Sequence, residues 1–170
     1  EDAALRSWVR ERTRAAGVIA SRVRGARDAA SSRFADYFEF SQRLTEIPSH
    51  RVLAIRRGEA EDELSWTIEA PVDELIAGLT DRVAGRRAAV RQLTLATTDA
   101  YRRLLAPSIE VELRLELKTR ADEDAIGIFG ANLEQLLLGA PAGERTVLGL
   151  DPGFRTGVKV AVVSRTGAVV

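Results

Sequence analysis

The sequence predicts a mainly α protein with short β segments: a helical domain over residues 1–143, followed by the first strands of a second, α/β domain over 144–170. Three observations carry this. Apolar residues recur at helical spacing through most of the first domain. Gly139 and Pro141 then interrupt the last apolar stripe. After residue 144 the grammar changes to apolar runs of strand length, 147–150 and 158–163, separated by Asp151-Pro152-Gly153.

Leu5, Trp8 and Val9 stand at the i, i+3, i+4 spacing of an amphipathic helix over 3–14, which Gly17 ends. Val18, Ile19 and Val23 suggest a short strand, and 25–32 reads as a loop or a frayed helix start. Residues 33–40 hold Phe34, Tyr37, Phe38 and Phe40, an aromatic density expected of a core anchor. Pro48-Ser49 is a helix-start signal with Ser49 as the cap, Val52, Leu53 and Ile55 as the buried side, and Gly58 as the end. Residues 59–63 form an acidic, solvated turn. Leu64, Trp66 and Ile68 alternate with polar residues as in a half-buried strand, which Pro71 stops. Helices follow over roughly 72–83 and 86–105, with Gly85 between them.

From 107 to 118 two rules collide. Ile109, Val111, Leu113, Leu115 and Leu117 alternate strictly with polar residues, as in a strand. Yet the residue types are good helix formers, Pro107 suits a first turn, and Ile109, Leu113 and Leu117 lie at i, i+4, i+8. The stripe continues through Ala121, Ile128, Leu133, Leu136 and Leu137, so one long helix over 107–138 is expected. The second domain opens as a β-meander, with Arg165-Thr166-Gly167 as a turn and a third strand beginning at 168.

Composition excludes several classes. With no Cys there are no disulfides or thiolate metal sites. No apolar stretch approaches the ~20 residues of a membrane span, and no signal-peptide pattern opens the chain, so a cytoplasmic protein with no membrane partner is expected. Lys+Arg and Asp+Glu balance at 25 each, which gives no global signature of nucleic acid. All basic residues but Lys118 and Lys159 are Arg, as a GC-rich genome would produce. There is no Met at residue 1, and the last residues fall within an apolar run, so the chain reads as an excerpt of a longer one.

The most informative string is Leu148-Gly149-Leu150-Asp151-Pro152-Gly153-Phe154-Arg155-Thr156-Gly157. A carboxylate closing a buried strand, then a Gly turn and a hairpin, is how a ribonuclease H-like fold opens. There Asp151 is a hard oxygen ligand suited to Mg²⁺, and Arg155 and Thr156 offer donors to phosphate. The string resembles the YqgF-homologous domain of the Tex family of transcription accessory proteins. Gly17-Val18-Ile19-Ala20-Ser21, Asp36-Tyr37-Phe38, Ile47-Pro48-Ser49-His50-Arg51, Arg57-Gly58-Glu59 and Arg120-Ala121-Asp122-Glu123-Asp124-Ala125-Ile126 fall in that family's order. The resemblance covers the whole chain: the family's central helical region, then the first strands of its ribonuclease H-like domain.

The resemblance implies a bacterial nucleic-acid-binding protein linked to transcription, with RNA favoured over DNA and the transcription machinery as a further partner. The family's helix-hairpin-helix and OB-fold parts would lie outside these residues, leaving this segment mainly as scaffold. The basic residues to test are Arg51, Arg56 and Arg57, then Arg86, Arg87 and Arg91, then Arg155 and Thr156. No Asp or Glu follows Asp151, so no catalytic carboxylate set is expected here. Mg²⁺ at Asp151 would need carboxylates from elsewhere, and no other cofactor is expected. Left alone, Asp151 is expected to accept backbone N–H bonds in its turn.

The competing readings are a metal-dependent nuclease of the Holliday-junction-resolvase type and a protein-interaction module docking through 72–138. An ATPase of the actin and sugar-kinase type is disfavoured, because Phe154 and Arg155 follow Gly153 and Pro152 lacks an N–H donor. His50, the single histidine, is expected to be hydrogen-bonded and structural, and Trp8 and Trp66 to anchor the core.

Overall fold

The computed structural model describes residues 2–26, 29–84, 90–141, 143–155 and 157–170. The chain divides into two compact units, Glu1–Phe129 and Gly130–Val170.

In the first unit, α1 (Ala3–Ala16) is capped by Asp2, whose carboxylate accepts from the N–H groups of Ala4 (2.8 Å) and Leu5 (3.3 Å). Gly17 ends the helix: a Cβ there would lie 2.3 Å from the Thr13 carbonyl oxygen. Three strands follow with helices interleaved: β1 (Val18–Val23), β2 (Glu39–Arg43) and β3 (Leu64–Glu69). They form one antiparallel sheet in the order β2-β1-β3, with Ser21 opposite both Phe40 and Trp66. Between β2 and β3 runs α2 (Ser49–Ala60), and after β3 come α3 (Val72–Ala84) and α4 (Val90–Ala100). A π turn over Tyr101–Leu105 leads into α5 (Ala106–Leu137).

Helices cover one sheet face. The core joins Val9 of α1, Ile19, Trp66 and Ile68 of the sheet, Val52 and Ile55 of α2, Leu75 and Leu79 of α3, and Tyr101. Ile109, Leu113, Leu117 and Ala121 of α5 complete it. This stripe resolves the conflict in the sequence. In a strand Val111 and Leu115 would share a face with Ile109 and Leu113; on the helix they turn to water, 67% and 62% exposed.

Several local expectations are corrected. No break separates the helix ending near 105 from the next. The Ala106 N–H bonds back to the Tyr101 carbonyl, and the wider π turn carries the chain past Pro107, which has no N–H to donate. Ser49 is not the cap of α2. Pro48 holds that position, and the Ser49 hydroxyl hydrogen-bonds the Asp124 carboxylate instead. Gly58 does not end α2 but lies buried within it; an added Cβ would come within 2.5 Å of Leu64 Cδ1. Close packing against β3, not helix termination, requires a glycine there. Glu59 is likewise helical and half-buried. His50 is exposed, and its side chain has no hydrogen bond among the described residues. The strand β2 was not anticipated, because its alternation is carried by Phe40 and Gln42 alone.

In the second unit β4 (Val147–Pro152) pairs with β5 (Val158–Val163), Asp151 standing opposite Lys159. The connecting turn closes with the Gly153 N–H on the Gly157 carbonyl (2.8 Å), and Gly157 adopts a φ of +83°. A second turn returns the chain so that Val169 bridges to Val163. All six residues of β4 are exposed.

Candidate nucleic-acid interface

A phosphate-binding surface needs guanidinium groups that are exposed and not already neutralised. Most arginines of the first unit fail that condition, because they pair within the fold. Arg6, Arg10 and Arg14 stand one helical turn apart on α1, and Glu112 and Glu116 one turn apart on α5. Arg6 hydrogen-bonds Glu112 and the Ser108 hydroxyl (2.7 Å), Arg10 approaches Glu112 at 3.8 Å, and Arg14 forks onto Glu116 at 2.7 Å while holding Glu11 at 2.6 Å. The hydrogen bonds that Arg14 donates to Glu116 and Glu11 raise its pKa, and the Arg14 bond holds Glu11 below the usual carboxylate range.

A second network centres on Arg114. Its guanidinium stacks 3.9 Å over the Trp66 ring, and its nitrogens reach Glu110 (3.1 Å), Glu59 (3.2 Å) and the Trp66 carbonyl. Trp66 Nε1–H donates to the other Glu59 oxygen at 2.7 Å. One side chain thus ties α5 to both α2 and β3. Nothing in the sequence singled Arg114 out: Glu110 is an ordinary i, i+4 neighbour, and the other two partners lie 48 and 55 positions away.

Arg51, Arg56 and Arg57 do not share a face of α2, because a helix turns ~100° per residue. Arg51 donates to Gln42 Oε1 (2.9 Å) and lies over the Phe40 ring at 5.6 Å. Arg57 donates to Glu61 (3.0 Å), which Arg33 also grips. First the Arg33 hydrogen bond and then that of Arg57 depress the Glu61 pKa. Arg56 is half-exposed with no ion pair among the described residues. Arg91 is exposed near the start of α4 and Arg155 is exposed in the β4–β5 turn, both without an ion pair among the described residues. Arg86, Arg87 and Thr156 lie outside the described residues. Arg12, Arg43 and Arg102 are also exposed and unpaired among the described residues; in sequence Arg12 stands between Arg10 and Arg14 and Arg102 beside Arg103, neighbours that pair within the fold.

Asp151 is exposed, and its side chain has no hydrogen bond among the described residues. The turn amide expected to meet it, that of Gly153, donates to Gly157 instead. No group of three or more His, Cys, Asp or Glu with metal-binding geometry exists among the described residues. No described helix is long and apolar enough to cross a membrane.

Residues 1–129 match the family described as Tex central region-like, and residues 145–170 match the Tex protein YqgF-like domain. The chain is 38% identical to Protein tex of Bordetella pertussis over its full length, covering 23% of that protein. It is 37% identical to Transcriptional accessory protein Tex of Neisseria gonorrhoeae over 98% of its length, again 23% of the relative. It is 32% identical to the human S1 RNA-binding domain-containing protein 1 over 81% of its length, 15% of that protein. The chain therefore spans about a quarter or less of the length of these relatives.

Proposed function

The chain belongs to the Tex family, and on that premise we propose that it is the scaffold segment of a cytoplasmic, nucleic-acid-binding transcription accessory protein. RNA is the preferred ligand of the whole protein in this reading, and the transcription machinery its setting. The names of the Neisseria gonorrhoeae and human relatives support the two parts of that statement. The observation that carries the scaffold assignment is the commitment of Arg6, Arg10, Arg14 and Arg114 to carboxylates of α5 and its neighbours. Side chains that could fork phosphate hold helices together instead.

The reading assigns no catalysis to these residues. Asp151 is the last carboxylate in the chain, and a two-metal hydrolytic centre needs several. The arginines without an ion pair among the described residues, Arg12, Arg43, Arg56, Arg91, Arg102 and Arg155 among them, are single charges on separate elements.

The test is a fluorescence-anisotropy titration of labelled single-stranded RNA and of duplex DNA at one salt concentration, using this chain and the full-length Bordetella pertussis relative. The proposal expects the relative to bind RNA and the chain to bind either ligand at least roughly a hundredfold more weakly. Equal affinity of the two proteins would overturn the scaffold assignment.

A further inference from the structure

The two edges of the three-stranded sheet are treated differently. On β3 the outward polar groups are met by α5: the Trp66 carbonyl accepts from Arg114, and the Ile68 N–H donates to Glu110 at 3.4 Å. On β2 the Val23-to-Phe38 and Leu44-to-Gly17 bonds (3.0 Å each) fix which residues face β1. By the alternation of an antiparallel ladder, Phe40 and Gln42 bond to β1, while Glu39, Ser41 and Arg43 turn their backbone groups outward. The Arg43 carbonyl is taken by the N–H groups of Glu46 and Ile47. The three N–H groups and the carbonyls of Glu39 and Ser41 have no partner among the described residues. An edge of this kind is a template for another strand.

The side chains of Glu39, Ser41 and Arg43 are all exposed, on the sheet face away from the core. Neither Glu39 nor Arg43 has an ion pair among the described residues. Four residues apart on one strand, roughly 13 Å, they cannot reach each other. They can reach each other across a two-fold axis.

We propose that β2 pairs with β2 of a second copy of this chain, antiparallel and centred on Ser41. In that register Ser41 opposes its own symmetry mate, and each Glu39 opposes the other copy's Arg43. Outward-facing residues then meet only outward-facing residues, as ladder bonding requires. Ser41 exchanges two backbone hydrogen bonds with its mate, and each Arg43 N–H donates to the opposite Glu39 carbonyl. The contact is isologous, so it closes at two copies and exposes no further edge. Opposite charges directly across an antiparallel pair favour it, and like charges oppose it. It goes beyond the scaffold role and does not depend on nucleic acid.

Sedimentation velocity of the chain from micromolar to near-millimolar concentration tests this. A monomer–dimer equilibrium is expected. Glu39→Arg alone and Arg43→Glu alone each place like charges opposite one another and should weaken the dimer roughly tenfold or more. An equimolar mixture of the two variants restores both charge pairs and should dimerise again. Ser41→Pro removes the central N–H from an edge that can tolerate proline and should abolish the dimer, with unchanged far-UV circular dichroism showing that the fold survives. A wild-type chain that stays monomeric throughout, or single charge variants that dimerise as well as wild type, would overturn the proposal.

Discussion

At the scale of single residues, the fold leans on a few side chains that join distant elements. Arg114 is the foremost. Its removal would leave the half-buried Glu59 and Glu110 carboxylates without their cation and the Trp66 carbonyl without its donor. Arg114→Ala is therefore expected to destabilise the chain by about 2–4 kcal/mol, read as a lower urea midpoint. Arg114→Lys keeps a charge but loses the planar stack on Trp66 and the fork, and should fall between the two. Gly58 gives the opposite lesson. Helix propensity alone favours Ala there by ~1 kcal/mol. A Cβ would nonetheless meet Leu64 Cγ at 2.8 Å and Phe34 Cγ at 3.3 Å. Gly58→Ala is expected to lower stability by about 1–3 kcal/mol, with the packing penalty outweighing the propensity gain. A stabilised variant in the same urea titration would show that α2 and β3 can move apart.

At the scale of elements, legibility followed the amount of pattern each segment carried. The strand β3 and helix α5 were readable because many apolar residues repeat at one period. For α5 the competing strand reading failed because burial selects every fourth residue, Ile109, Leu113, Leu117 and Ala121, and not every second. The short strand β2 was hidden: its partner β1 lies about 20 residues upstream, and its own half-buried residues are only Phe40 and Gln42. The commitment of the arginines was equally hidden. Charge balance and clustering are sequence properties, whereas the α1–α5 ion pairs span more than 100 positions.

The exposed carboxylates held by arginines also give the elements a pH dependence. Arg33 and Arg57 depress the folded-state pKa of Glu61 below its usual 4.5, and Arg14 does the same for Glu11. A depressed carboxylate contributes stability that is fully present above the unfolded value and is lost as pH falls through the folded one. The urea midpoint should hold steady from neutral pH to about 5 and decline below 4.5. Because these groups are exposed, the decline should be modest and should shrink in high salt. Glu61→Gln should remove part of it, and a midpoint that rises on acidification would contradict the assignment of these pairs.

At the scale of the whole molecule, the family assignment was legible in a few short strings, some of them tied to a backbone need. The Asp-Pro-Gly turn after β4 and Gly157 at positive φ are examples. The functional surface was less legible. The sequence offered Arg51, Arg56 and Arg57 as one cluster, but the helix spreads them around its circumference, and Gln42 and Glu61 occupy two of them. What distinguishes scaffold from binding surface is how many phosphates the chain can neutralise, and that number has a direct readout. The chain's anisotropy titrations with single-stranded RNA, repeated across a salt series, yield the slope of log affinity against log salt concentration. With its arginines committed internally and the remainder on separate elements, the chain should give a slope shallower than about −2. A slope of about −2 or steeper would mean that several phosphates are neutralised at once, and would make this segment a nucleic-acid-binding site in its own right.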